Sequence, residues 1–178
     1  FEHTNLRNGG AQHLSALVLS QASSATFVSG RIEASSTNGL RVVSSSKLNV
    51  IDTIISANAN NGLIVSDSSF ALVRNSSITG NAESGVTGNS NLTVDARSNW
   101  WGAPDGPRPA GSGDLVTGNV DYSDFLTVPP VLVDEAPPMV NSLSLTQGAV
   151  ISRPLSVSAD VFDNVRVGRV VFFVDGVS

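Results

Sequence analysis

The 178-residue chain carries a formal net charge of −5, from 15 acids and 10 bases with no block of either sign, which excludes nucleic acid as a partner because phosphate neutralisation needs clustered Lys and Arg. Cysteine is absent, so disulfides and thiolate chemistry are excluded and cysteine usage places no compartment. No apolar run approaches the ~20 residues of a membrane span, so no membrane insertion is expected in this segment. Low charge with Ser, Asn, Thr and Gly in excess points to an extended extracellular or cell-surface β-protein rather than a cytosolic enzyme. The start at Phe1 and the stop inside the apolar "VVFFVDGVS" read as the ends of an excised piece.

From the N-terminus, Phe1 and Leu6 match Phe27 and Ile32 at a step of 26. The residues in excess of the later repeat fall in "RNGGAQH", before Leu17, and predict a loop bulging from one corner. From there the step is 23: Ile32, Ile55 and Ile78 lead to Trp101; Leu40 and Leu63 lead to Val86; Phe27, Val50 and Val73 lead to Ala96; Ala25, Leu48 and Ala71 lead to Val94. Gly39, Gly62 and Gly85 keep the same phase, either for a backbone conformation that favours glycine or for close packing. Apolar positions alternate with period two between Gly, Asn and Ser, and nothing recurs at 3.6, so each period supplies about three short strands and three bends. One such unit cannot bury its own apolar residues, whereas stacked units share a column and pair at ~4.8 Å. The expected fold is an all-β parallel β-helix of about 23 residues per coil.

"SNWWGAPDGP", residues 98–107, holds both tryptophans. Trp101 falls in the isoleucine column and is expected to face inward on the last rung, as a cap over the aliphatic stack, with Trp100 across the outside or the end. Pro104 and Pro107 lack the N–H of a further coil, so the ladder is expected to stop there. The competing reading is a tryptophan platform for sugar rings, which the core register of Trp101 disfavours.

The phrases "IISANANNGLIV", "SSITGNAESGV", "NWWGAPDGP" and "GDLVTGNVDYSDFL" resemble the C-terminal coils of bacterial right-handed parallel β-helix proteins of the pectate-lyase-like superfamily, over residues 1–126. Residues 127–137, from "TVPPVLVDEAPP", read as a stiff Pro-rich linker. Residues 138–178 resemble the opening strands of a bacterial immunoglobulin-like domain, on the Pro-Pro entry, "LSVSADVFDN" and "VVFFVDG". A full sandwich needs about 100 residues, so this domain is incomplete.

The resemblance implies polysaccharide chemistry on the outside of the helix, from clustered aspartates in hydrolases or from calcium-binding acids beside an Arg or Lys base in lyases. At a step of 23, Glu33 stacks with Ser56 and Thr79, Asp52 with Asn75 and Ser98, and Asp67 with Ser44 and Ser90. No acid meets another, so neither a catalytic residue nor a calcium cluster emerges. The stacked charges are Arg74 and Arg97; together with Trp100 they form the candidate glycan contact, able to hold an acidic sugar unless they splay into water. His3 and His13 are too few for a metal site, no cofactor motif is present, and Asn58 over Asn81 suggests a structural amide ladder. "NSS" at Asn75 and "NLT" at Asn91 match glycosylation acceptors, a frequent accident in Asn/Ser-rich sequence.

Two functions compete. In one, the segment belongs to a large secreted or surface-attached bacterial protein, with the β-helix a rigid stalk or glycan-contacting surface and the Ig-like module a spacer. In the other, these are the terminal coils of a polysaccharide lyase or glycoside hydrolase whose active site lies upstream of Phe1. The missing acid registry favours the first.

Overall fold

A computed structural model describes residues 1–2, 4–9, 15–132, 139–143, 158–162 and 170–172. It divides into two units, Phe1–Leu132 and Val133–Ser178. Residues 10–13 of the expected loop in "RNGGAQH", His3 and His13, the second half of the expected linker and most of the expected Ig-like segment lie outside the described residues.

The first unit is a parallel β-solenoid of about five turns at about 23 residues per turn. The chain enters with β1 (Asn5–Arg7) and then completes three coils: β2 (Leu17–Leu19), β3 (Ser24–Val28) and β4 (Arg31–Glu33); β5 (Leu40–Val42), β6 (Lys47–Ile51) and β7 (Ile54–Ser56); β8 (Leu63–Ser66), β9 (Phe70–Arg74) and β10 (Ser77–Thr79). A fourth coil holds β11 (Val86–Asn89), β12 (Val94–Asp95) and, in place of a third strand, a bridge from Trp100 to Ser77. Beyond an excursion containing β13 (Pro107–Arg108), the chain rejoins the ladder with β14 (Gly113–Gly118) and β15 (Val120–Asp121). The first sheet runs β1-β4-β7-β10, the second β2-β5-β8-β11-β14 with β13 at its edge, and the third β3-β6-β9-β12-β15.

The register follows the repeat. Leu6 pairs with Ile32, Ile32 with Ile55, and Ile55 with Ile78; Phe27 pairs with Val50 and Val50 with Val73. The Phe1 ring stacks on Phe27 with centroids 4.6 Å apart, in the expected step of 26. Leu48, Val50, Ile55, Leu63, Val65 and Trp101 are fully buried in one continuous core, where each aliphatic side chain contributes roughly 1.5–3 kcal/mol relative to exposure.

Three corners turn each coil, and all three use left-handed backbone on ordinary residues. Between the third and first sheets it is Ser29, Asp52, Asn75 and Ser98; after the first sheet, Ala34 and Ala57 and then Gly80; after the second, the pairs Gln21-Ala22, Ser44-Ser45 and Asp67-Ser68. Next to each bend a polar side chain turns inward and accepts the N–H of its counterpart one coil earlier, as a buried donor requires. One ladder runs Ser23 N to Ser46 Oγ and Ser46 N to Ser69 Oγ. A second runs Thr53 N to Ser76 Oγ and Ser76 N to Asn99 Oδ1. The third runs Ser35 N to Asn58 Oδ1 and Asn58 N to Asn81 Oδ1, with Asn58 Nδ2 donating to Asn81 Oδ1 at 2.8 Å, the expected amide ladder. Part of the Ser, Thr and Asn excess is therefore interior.

One open alternative is resolved and two expectations need correction. Gly39, Gly62 and Gly85 do not hold left-handed φ. They are small because a Cβ on Gly62 would lie 2.7 Å from the Gly85 carbonyl oxygen and 2.9 Å from Ile55 Cγ2. The prolines do not stop the ladder: β14 pairs with β11 (Val86 with Val116) and β15 with β12 (Val94 with Val120). Pro104 and Pro107 lie in the excursion between Trp101 and β14, where a missing N–H costs little. Trp101 is the last core residue under the first sheet, yet the other two sheets continue past it, with Tyr122 and Phe125 packed on the core from the following turn.

In the second unit, β16 (Met139–Leu143) and β17 (Ala159–Phe162) pair antiparallel, with an irregularity between Val140 and Ser142.

Candidate functional site

Arg74 and Arg97 come together, but around an acid. Asp95 Oδ1 accepts from Arg97 Nε at 2.9 Å, and its Oδ2 accepts from Arg97 Nη2 at 3.0 Å and from Arg74 Nη2. Arg74 Nη1 donates to the carbonyls of Val73 and Asp95. The Arg97 bonds, with Arg74 on the shared oxygen, hold the Asp95 carboxyl far below the usual carboxylate range against the opposing effect of burial, and Asp95 in turn raises the Arg97 pKa. The arginines are thus charge-compensated within the fold. Trp100 is partly exposed and stands on the first sheet, in the column of Arg31, Ile54 and Ser77, while the arginines belong to the third-sheet side.

The registry of acids also changes. Asp95 pairs with Asp121, because the last turn of the third sheet steps by 26 rather than 23. One acid does stand over another, contrary to the expectation from a uniform step. Both are held low, Asp95 chiefly by Arg97 and Asp121 chiefly by the Ser123 N–H. General acid–base work needs two carboxyls pushed apart in pKa, and these move the same way. Other acids are tied singly: Glu33 to Arg7, Arg31 and Ser56, Asp52 to Asn75 at 2.6 Å, and Asp105 to Ser112. Asp114 is buried and accepts from the N–H groups of Gly80 and Asn81 and from Asn81 Nδ2. Among the described residues no three His, Cys, Asp or Glu converge as a metal-binding group.

A groove of about 380 Å³ opens on the outer side of the second sheet. Sequence reasoning missed it. Its floor is a polar network: Asn61 Nδ2 donates to Asn38 Oδ1 and to Glu83 Oε2, while Asn61 Oδ1 accepts from Ser84 Oγ at 2.9 Å and Thr87 Oγ1 at 2.8 Å. Thr87 and Thr117 are register partners whose hydroxyls meet at 2.9 Å. Asn89 is exposed at the groove, and Ile64 and Leu115 give it apolar wall. The Asn38–Asn61–Ser84 column was visible at a step of 23; the Thr87–Thr117 pairing was not, because the excursion lengthens that step to 30.

Residues 1–99, over half the chain, match the family model described as "Right handed beta helix region". No curated protein and no solved structure matches the chain.

Proposed function

We propose, from the premise that the chain belongs to the right-handed β-helix family, that this segment is the non-catalytic part of a large secreted or surface-attached bacterial protein, its solenoid serving as a rigid stalk and glycan-contacting surface. The observation that carries this reading is the disposition of charge. The stacked arginines and acids of the outer wall neutralise one another around Asp95 instead of presenting a polarised acid–base pair. Rigidity follows from the three inward ladders, which tie each coil to the next at every corner. In this reading Trp101 closes the isoleucine column of the first sheet and residues 138–178 are an Ig-like spacer.

The test is incubation of the full chain with polygalacturonate and other acidic polysaccharides, followed by assay of new reducing ends and unsaturated products. Unchanged polymer length is expected. Hydrogen exchange should meanwhile show the corner amides of Ser46, Thr53 and Asn58 protected together. Polymer shortening would overturn the non-catalytic role, and rapid exchange at those amides would overturn the rigid stalk.

A further inference from the structure

We infer that the groove on the second sheet binds a saccharide chain rich in hydroxyl or ammonium donors and free of carboxylates. This rests on the reading of the solenoid as a glycan-contacting surface, and it moves the contact away from Arg74, Arg97 and Trp100.

The ligand class follows from an inventory of protons. Thr87 can send its hydroxyl proton to Asn61 Oδ1, Ser84 can send its own to Asn61 Oδ1 or to Thr87 Oγ1 at 2.7 Å, and Thr117 can send its proton to Thr87. Both Asn61 amide protons are engaged by Asn38 and Glu83. Every proton of the network thus has an acceptor inside it. What remains turned to the groove is lone pairs of Ser84 and Thr117, since a hydroxyl oxygen accepts as well as donates, together with Glu83 Oε1, which takes no bond from the described residues. Among the described residues that line the groove, only the Asn89 amide adds donors beyond this network. An acceptor-rich wall with a carboxylate attracts donors and repels anions, so a uronate is disfavoured and a neutral or amino sugar is favoured.

Three features favour a saccharide over a simple amine. Ser84 and Thr117, linked through Thr87 at 2.7 Å and 2.9 Å, set several acceptors along the groove beside Glu83, which suits a ligand bearing several donors. Ile64 and Leu115 supply apolar contact for the C–H face of a sugar ring. The floor is also fixed in place, because its hydroxyls are bonded to one another before any ligand arrives, and preorganisation lowers the entropic cost of binding.

Isothermal titration of the full chain with a glucosamine oligomer, a cello-oligosaccharide, an oligogalacturonate and spermine tests the assignment. The first two should bind, with the oligogalacturonate weaker by about tenfold or more. Glu83→Gln should weaken the glucosamine oligomer by about tenfold and leave the cello-oligosaccharide nearly unchanged. Thr117→Val and Asn89→Ala should weaken both, with thermal melts confirming that each variant is folded, and Trp100→Ala should weaken neither. Preferential binding of the oligogalacturonate, binding of spermine without either sugar, or loss of sugar at Trp100→Ala with Thr117→Val silent would each overturn the inference, as would no binding at all. Shortening of a bound oligosaccharide would support the site while overturning the non-catalytic role alone.

Discussion

Gly62→Ala separates a glycine kept for space from one kept for conformation. Added to Gly62, a Cβ meets the Gly85 carbonyl oxygen at 2.7 Å, Asn81 Nδ2 at 2.9 Å and Ile55 Cγ2 at 2.9 Å. None of the three is free to retreat. The Gly85 carbonyl accepts the Leu63 N–H at 2.9 Å, the Asn81 amide is fixed by Asp114, and Ile55 is fully buried. Overpacking costs roughly 1–3 kcal/mol, and with two hydrogen-bonded groups displaced together the upper end, about 3 kcal/mol, is expected. Gly80 is the control. Its φ is +69° and the nearest atom to an added Cβ is 3.9 Å away, while Ala34 and Ala57 occupy the same corner with φ of 53°. Gly80→Ala should therefore cost about 1 kcal/mol, partly offset by the lower entropy of the unfolded chain. In thermal melts followed by circular dichroism, a 3 kcal/mol loss lowers Tm by roughly 6–12 °C and a 1 kcal/mol loss by roughly 2–4 °C. Equal shifts, or a larger one at Gly80, would refute the steric account.

Trp101→Ala should cost about 3–5 kcal/mol through loss of a fully buried aromatic, with hydrogen exchange rising first at residues 90–126, whereas Trp100→Ala should change stability little; comparable small effects would refute the closing role of Trp101. Asp95 has a depressed carboxyl pKa, so its stabilising effect is complete above the unfolded value of about 3.9 and is lost as pH falls through that value towards the lower folded one. Melts from about pH 6 to pH 2 should show Tm falling on the acid side, and Asp95→Asn should flatten that fall while lowering Tm at neutral pH. Asp114→Asn should replace one acceptor oxygen by an amide facing N–H groups and cost roughly 1–3 kcal/mol, read as lost exchange protection at Gly80 or Asn81.

The column was legible because burial is strict: a residue facing inward must be apolar, and Ile32, Ile55 and Ile78 declare the step without further help. The reason for a conserved phase is harder to read. Gly62 marks a close approach between coils and Gly80 a left-handed corner, and in sequence the two are the same letter. The arginine pair misled because stacking compares residues in one column, while Asp95 reaches Arg74 diagonally and Arg97 two residues further along the chain. A uniform step also hid Asp95 over Asp121 and Thr87 over Thr117, since the excursion after Trp101 changes the period once on the second sheet and again on the third. The groove lies where those altered steps meet the regular ones.

The Asn58–Asn81–Asp114 ladder has a direction. Asn58 and Asn81 each take a proton from the coil before and give one to the coil after, so either could be followed by another copy of itself. Asp114 has only oxygens to offer and nothing to hand on. A 23-residue module inserted between Asn58 and Asn81 would find a donor on one side and an acceptor on the other and would lengthen the rod by about 4.8 Å. The same module placed after Asp114 would begin on a carboxylate with no proton to give. The rod can therefore change length by duplication within its body while its finishing turn stays the same, much as a zip is extended in the middle and never beyond its stop.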